Sequence, residues 1–145
     1  FERCEAFFLL VSGAPAKKDE ARRLMTAGPP NIPLKNKYLF GLGDENELIG
    51  VVDIFIGYPR DDVAFIGLFL IDPEHRGRGL GEETYRKLEA WLLTRDMNEI
   101  HLGVQIDNMA GRRFWKRMDF KYLRDAPLLE SDDPTPTVHV YGKKL

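Results

Sequence analysis

A glycine-rich turn between an apolar run and an amphipathic segment limits the possible folds of this chain more than any other stretch. Val63–Ile71 is almost wholly apolar, and the turn after it places Gly77, Gly79 and Gly81 within five residues. The following segment, residues 80–95, repeats apolar residues at helical spacing. The pattern therefore predicts a buried strand, a turn with little side-chain bulk, and a helix that begins at the turn.

The beginning of such a helix suits a phosphate group. The first amides of a helix lack intrahelical acceptors, and the helix dipole is positive at that end. Arg76 and Arg78 add positive charge and forked donors there. Two common phosphate motifs do not fit, because Glu82 stands where the dinucleotide fingerprint needs its third glycine and no Gly-Lys-Ser/Thr of a Walker loop follows. A plain solvated turn is the alternative that the turn alone leaves open.

Two signatures resemble those of the GNAT family of N-acetyltransferases. Arg76-x-x-Gly79-x-Gly81 is similar to the family's acyl-coenzyme A pyrophosphate loop. The stretch from Asn108 to Phe120 resembles the second signature, Asn-x-x-Ala-x-x-Phe-Tyr-x-Lys-x-Gly-Phe. It has one residue fewer after Asn108, and Asp119 replaces the usual glycine.

The rest of the pattern predicts one α+β domain over residues 1–145. Helices are expected through Cys4, Phe7, Phe8 and Val11 and over 16–26, 80–95 and 109–118; strands are expected over 38–42, 48–56, 63–71, 99–106, 121–124 and 137–141. The strand–helix–strand unit implies one parallel pair with a crossover helix. This gives a mixed, mostly antiparallel sheet of about six strands flanked by about four helices, an order that agrees with the GNAT fold.

Three details of the sheet can be predicted as well. Gly67, inside a strand, marks either a bulge or simple packing space. The final strand, 137–141, is expected at an edge of the sheet, and residues 126–136 as an exposed loop. Val138 and Val140 on that edge would permit a homodimer without establishing one.

Composition excludes several classes of protein. The chain has 145 residues, 43% of them hydrophobic, which fits one compact domain. A formal net charge of −2 argues against a general nucleic-acid or membrane-surface binder. A single cysteine, Cys4, excludes an internal disulfide framework and a cysteine-based metal site. No apolar run approaches the ~18 residues of a membrane span. We therefore expect a cytoplasmic protein without a metal ion.

The resemblance implies direct transfer of an acetyl group from acetyl-coenzyme A to a primary amine of a small molecule or peptide. By position, the backbone of Phe69, Leu70 and Ile71 would bind the pantetheine arm, and Asn108 would contact the same arm. The pyrophosphate would be held by the residues of the turn, namely Arg76, Gly77, Arg78, Gly79, Leu80, Gly81 and Glu82. The basic face of the second signature, including Lys116, either is solvated or lies near the phosphates.

The catalytic residues are where the sequence departs from the family. Trp115 replaces the usual tyrosine acid, and Phe65 replaces the usual glutamate base. Tyr122 is the nearest alternative acid, although a packed tyrosine is the simpler interpretation. Asp53, the only charged residue in its strand, is a candidate base or an anchor for a cationic substrate; the simpler interpretation is a solvent-facing edge position.

The three histidines are not assigned a role. His75 is expected to be solvated, and His101 and His139 are expected to face solvent or packing. Because the acid and base are uncertain, a second hypothesis stays open, namely a non-catalytic acyl-coenzyme A-binding module with a regulatory or assembly role. Acetyl-coenzyme A is the expected ligand under either hypothesis.

Overall fold

The computed structural model describes residues 1–12, 15–43, 45–127, 135 and 137–145. The helices are α1 (Glu5–Ser12), α2 (Glu20–Thr26), α3 (Leu80–Leu93) and α4 (Met109–Arg117). The strands are β1 (Lys37–Gly43), β2 (Leu48–Ile56), β3 (Val63–Ile71), β4 (Glu99–Gln105), β5 (Lys121–Ala126) and β6 (Val138–Lys144). Among these residues, no helix has both the length and the apolar character needed to span a membrane.

The six strands form one sheet in the order β1-β2-β3-β4-β6-β5. Only β3 and β4 pair in parallel, and the other neighbours are antiparallel. The predicted mixed, mostly antiparallel sheet and its single parallel crossover are therefore confirmed.

The last strand does not lie at an edge, so that expectation is wrong. β6 pairs with β4 on one side and with β5 on the other, and the exposed strand β5 forms the edge. Val138 and Val140 are 7% and 5% exposed, because they face a cavity inside the chain. They are consequently not available for the contact between copies that the sequence suggested.

Helices cover both faces of the sheet. Tyr85 and Leu88 of α3 form the main apolar cluster with Ile54, Ile66 and Leu102 of the central strands. On the opposite face, the turn before α1 and α1 itself contribute Cys4 and Phe8 to a smaller cluster with Leu70. Apolar side chains on both faces explain why the central strands read as nearly continuous apolar runs.

Element ends differ from the prediction by a few residues. α2 begins at Glu20 instead of residue 16, and α3 ends at Leu93 because Asp96 adopts a left-handed φ of 59°. β6 continues to Lys144. Most of the loop predicted at 126–136 lies outside the described residues, and residue 126 itself closes β5.

Gly67 is the extra residue of a β-bulge. In the β2–β3 ladder Asp53 pairs with Leu68, whereas Ile54 pairs with Ile66, which leaves Gly67 without a partner residue. A Cβ atom at position 67 would lie 2.7 Å from Cε2 of Phe55 and 3.1 Å from Oδ2 of Asp53. The bulge prediction is therefore confirmed, and the close approach of Phe55 explains why the residue is glycine.

Candidate functional site

The two parallel strands part in the middle of the sheet. β3 and β4 pair only from Val63–Glu99 to Ile66–Leu102. Beyond that point β3 continues to Ile71 and β4 to Gln105 without pairing with each other, although each keeps its other neighbour in the sheet. The parting begins at the Gly67 bulge. Because the facing backbone amides and carbonyls of the parted strands no longer bond each other, the gap can take an extended ligand with amide groups of its own.

The glycine-rich turn lies directly after the parted end of β3. Gly77 and Gly79 have φ of +75° and +80°, and apart from the adjoining backbone no heavy atom of the described residues lies within 4 Å of a Cβ built at either position. Both glycines are therefore required by the backbone and leave open space above it. Gly79 caps α3 without a side-chain hydrogen bond, and the first intrahelical bond runs from the amide of Glu83 to the Gly79 carbonyl, 3.0 Å. The amides of Leu80, Gly81 and Glu82 precede that bond, so the helix itself offers them no acceptor.

Gly81 serves a different purpose. A Cβ there would lie 3.2 Å from the ring of Phe114 and 3.5 Å from Cδ1 of Ile71. The missing side chain lets the first turn of α3 approach α4 and β3 closely. Only its amide is available to a ligand.

The charges around the turn are arranged in favour of an anion. Arg76 Nε donates to the carbonyl of Ile71 at 2.7 Å and ties the turn to the end of β3. Arg78 is exposed. The two acidic residues of the first helical turn bond cations one turn further along: Glu82 with Arg86 at 3.6 Å, and Glu83 with Lys87 at 2.8 Å. The hydrogen bond from Lys87 lowers the pKa of Glu83, so this carboxylate is already paired and opposes a bound phosphate less.

The second signature builds α4 beside the turn. Asn108 Oδ1 accepts the amide of Gly111 at 2.9 Å, which caps α4 and leaves the Nδ2 amide as the group that could face a ligand. Lys116 is exposed on α4. Trp115 is buried and packs against Phe69 and neighbouring rings, so it belongs to the core.

A cavity of about 300 Å³ opens on the other face of the sheet, under α1 and α2. Its lining is mostly aromatic and aliphatic, for example Phe7, Phe55 and Phe65. Gly67 and Gly103, from the two sides of the gap, both line it, so the cavity meets the gap between β3 and β4. Its titratable or charged side chains are Glu20, Arg23, Asp53, Tyr58, His101 and Arg124. A larger groove of about 650 Å³ between β1, β2 and α3 includes neither Gly67 nor Gly103.

Asp53 lies inside the cavity wall. It is 3% exposed on an inner strand, so the interpretation as a solvent-facing edge residue is wrong. Its Oδ2 lies 2.7 Å from Nζ of Lys37, which also donates to the carbonyl of Ala27 at 2.7 Å and lies 4.4 Å from the centre of the Phe55 ring. Lys37 therefore joins the end of α2 to β2, the strand opposite the bulge. A carboxylate bound by an ammonium group is a weaker proton acceptor than an isolated one.

Sequence reasoning missed Lys37. The residue is the first of β1 and pairs with Phe55, two positions from Asp53 along β2. Only this register makes the two side chains diagonal neighbours. The one available signal was a charged residue in each of two adjacent strand patterns.

Tyr122 lies away from the cavity. It is 53% exposed on the edge strand β5, its hydroxyl donates to Oδ1 of Asp125 at 3.1 Å, and its ring contacts His139 and Tyr141. Partial desolvation, followed by the Asp125 hydrogen bond, raises the pKa of Tyr122. The structure brings Asp53 but not Tyr122 to the cavity, and a catalytic role for Tyr122 stays a prediction.

His101 was expected to face solvent or packing, and it instead lines the cavity. Its side chain is 11% exposed, and Nε2 lies 2.9 Å from Oε1 of Glu99. Glu99 Oε2 in turn accepts from Arg60 at 2.7 Å. The hydrogen bond from His101 is the main cause that lowers the pKa of Glu99. Within the described part of the chain, no cluster of three or more His, Cys, Asp or Glu side chains could hold a metal ion.

Comparisons with known proteins agree with this architecture. The model of the acetyltransferase (GNAT) family matches residues 11–120. An acetyltransferase from Thermus thermophilus has 26% identity and a TM-score of 0.79, over 100% of this chain and 86% of that one. No curated protein matches the chain.

Two further solved structures are similar in fold. The ribosomal-protein-S18-alanine N-acetyltransferase of Escherichia coli has 14% identity and a TM-score of 0.67, over 98% of this chain and 86% of that one. The PaiA N-acetyltransferase of Thermoplasma acidophilum, solved in complex with coenzyme A, has 15% identity and a TM-score of 0.66, over 99% and 88%.

Proposed function

Since the chain belongs to the acetyltransferase (GNAT) family, we propose that it transfers an acetyl group from acetyl-coenzyme A directly to a primary amine of a small molecule or peptide. The observation that carries this proposal is the gap between β3 and β4. It begins at Gly67, beside the cavity, and its β3 side runs into the glycine-rich turn. A donor held in the gap would thus present its thioester to an acceptor in the cavity.

The donor would be held by backbone groups and a few cations. The pantetheine arm would bond the backbone of Phe69, Leu70 and Ile71 along the parted strand, with the Nδ2 amide of Asn108 as a further donor. The pyrophosphate would accept from the amides of the turn and of the first turn of α3 (Gly77, Arg78, Gly79, Leu80, Gly81 and Glu82). Arg76 and Lys116 would add positive charge near the phosphates.

The chemistry requires three events at the junction of gap and cavity. The amine must lose a proton, its nitrogen must attack the thioester carbon, and the leaving thiolate must gain a proton. Asp53 would position the acceptor's ammonium group or accept its proton, with Lys37 holding the carboxylate in place. Tyr122 remains the predicted acid, and water is an alternative proton source for a thiolate.

The test is to incubate the protein with acetyl-coenzyme A and a panel of primary amines and to follow free thiol. We expect thermal stabilisation by acetyl-coenzyme A, since a ligand that binds only the folded state raises its stability. We also expect thiol release that depends on at least one amine. No stabilisation at millimolar coenzyme A would contradict the proposed donor.

The second candidate is a non-catalytic acyl-coenzyme A-binding module. The observations that favour it are that Asp53 is already bound by Lys37 and that Tyr122 does not line the cavity. Stabilisation by acetyl-coenzyme A without thiol release on any amine would support this candidate and reject the enzyme.

A further inference from the structure

One imidazole lies at the point where the gap and the cavity meet. His101 pairs with Phe65 in the parallel β3–β4 ladder, one position before the final pair, Ile66–Leu102. Gly103, two residues further, lies on the same face of β4 and lines the same cavity as His101. Two residues of a strand span about 6.6 Å, so the backbone of His101 lies about that far from Gly103 at the edge of the gap.

The imidazole is held in one orientation. Its Nε2 bonds the Glu99 carboxylate, which Arg60 holds from the other side. Glu99 has a lowered pKa and is an anion at neutral pH, so in the neutral imidazole the proton is assigned to Nε2, which faces this acceptor, and the lone pair to Nδ1. Within the described residues, Nδ1 makes no hydrogen bond. A base that is oriented by a third group is the usual arrangement of an activating residue.

The other polar groups of the cavity are less suited to accept a proton. Asp53 is bound by Lys37. Arg23 and Arg124 are permanently charged donors, and the phenolic hydroxyl of Tyr58 is a much weaker base than an imidazole. Glu20 is half-buried and lies on α2, not on either of the strands that border the gap.

We propose that His101 is the general base that takes the acceptor's proton through Nδ1, directly or through one water, with Glu99 as the residue that positions it. This inference rests on the proposed acetyl transfer. The acceptor R–NH3⁺ gives one proton to His101, and the free amine attacks the thioester carbon. The C–N bond forms and the C–S bond breaks. The second amine proton goes to the leaving thiolate, and the imidazolium returns its proton to solvent.

The experiment measures kcat/KM against pH for the wild type, His101→Gln, Glu99→Gln and Asp53→Asn. Glutamine at position 101 keeps a donor for Glu99 but has no basic nitrogen. His139→Gln is the matched control, because His139 is a largely buried strand histidine bonded to a carboxylate, as His101 is, but does not line the cavity. Binding of acetyl-coenzyme A is measured for each variant by thermal shift, which separates a lost base from a damaged donor site.

We expect His101→Gln to lower kcat/KM by about 10²–10⁴-fold at neutral pH, the usual contribution of a general base. The loss of rate towards acid pH should disappear in this variant and persist in Asp53→Asn. Glu99→Gln should lose less, and all variants should keep acetyl-coenzyme A stabilisation. An active wild type whose His101→Gln variant keeps at least half of its kcat/KM would overturn this proposal alone. A wild type that binds acetyl-coenzyme A but acetylates no amine would overturn the proposed function, and this inference with it.

Discussion

At the level of single residues, two kinds of glycine perform different tasks in the turn. Gly79 provides a left-handed backbone under open space, whereas Gly81 removes a side chain that would press on Phe114. The charged residue Lys37 likewise has a role that its surroundings determine. Its role depends on the partners Asp53 and Ala27, not on its residue type.

Replacing Gly79 with valine should abolish the stabilisation that acetyl-coenzyme A gives. A β-branched side chain at φ +80° costs roughly 1–2 kcal/mol of strain and covers the amides of the turn. Gly57→Val is the control, since Gly57 has φ +79° in the β2–β3 connection and carries the same strain outside the site. Thermal shift with and without acetyl-coenzyme A gives the comparison, and equal ligand-induced shifts in the two variants would sink the assignment of the turn.

The buried pair of Lys37 and Asp53 should show the energetics of a desolvated charge. Lys37→Met should lower the free energy of unfolding by about 3–5 kcal/mol, because it leaves the carboxylate buried without its ammonium partner. The double variant Lys37→Met with Asp53→Leu should recover most of that loss. Urea denaturation of the two single variants and the double variant measures the coupling; additive losses would mean that the pair does not interact.

At the level of helices and strands, the bulge decides where the sheet opens. One extra residue in β3 shifts the side chains that follow, so that Leu68 and Leu70 face α1 while Phe69 packs against α4. The same position marks the end of pairing between β3 and β4. A single glycine thus links the register of β2 and β3 to the gap.

Gly67→Ala should therefore be destabilising even though position 67 is exposed. Its Cβ would lie 2.7 Å from the Phe55 ring, and such overpacking costs roughly 1–3 kcal/mol. Phe55→Leu in the same chain should recover part of the loss, since the shorter side chain vacates that space. Thermal unfolding of the wild type, the two single variants and the double variant measures these changes. A fully stable Gly67→Ala protein would show that the bulge tolerates a side chain.

For the molecule as a whole, acid should weaken the fold through carboxylates that are bonded in the folded state. Burial raises the pKa of Glu89, but its hydrogen bonds with Lys143 and Tyr85 lower the pKa by more than burial raises it. The pKa of Glu89 is therefore lowered. The bond from His101 lowers the pKa of Glu99. A lowered folded pKa contributes stability that is present above the unfolded value of about 4.3 and is lost as pH falls through the folded value.

The difference in unfolding free energy between the wild type and Glu89→Gln should accordingly be largest at neutral pH and shrink below about pH 4. Glu83→Gln is the comparison, because Glu83 forms an exposed pair with Lys87 that solvent screens. Urea denaturation at about pH 3, 5 and 7 brackets the unfolded pKa and provides the values. If the difference in unfolding free energy between the wild type and Glu89→Gln stays constant with pH, the lowered pKa of Glu89 does not contribute to stability.

The elements and their order could be predicted because their signals are local. The apolar run of β3, the glycines after it and the helical repeat of α3 all lie within about thirty residues. The position of β6 could not be predicted, because a seven-residue strand whose apolar side chains are only Val138, Val140 and Tyr141 fits either an edge or an inner place. Its neighbours are chosen by long-range pairing that the local pattern does not contain.

The proposed donor end of this protein could be predicted from the chain alone, since the glycine-rich turn and Asn108 would act through backbone amides and a helix cap whose geometry follows from nearby residues. The proposed acceptor end required the folded molecule. Lys37, Asp53 and His101 are far apart in the chain and come together through the registers of β1, β2, β3 and β4. A carboxylate's or imidazole's chemistry depends on the partner that folding places beside it. That is why Asp53 proved to be bound by an ammonium group and His101 proved to line the cavity.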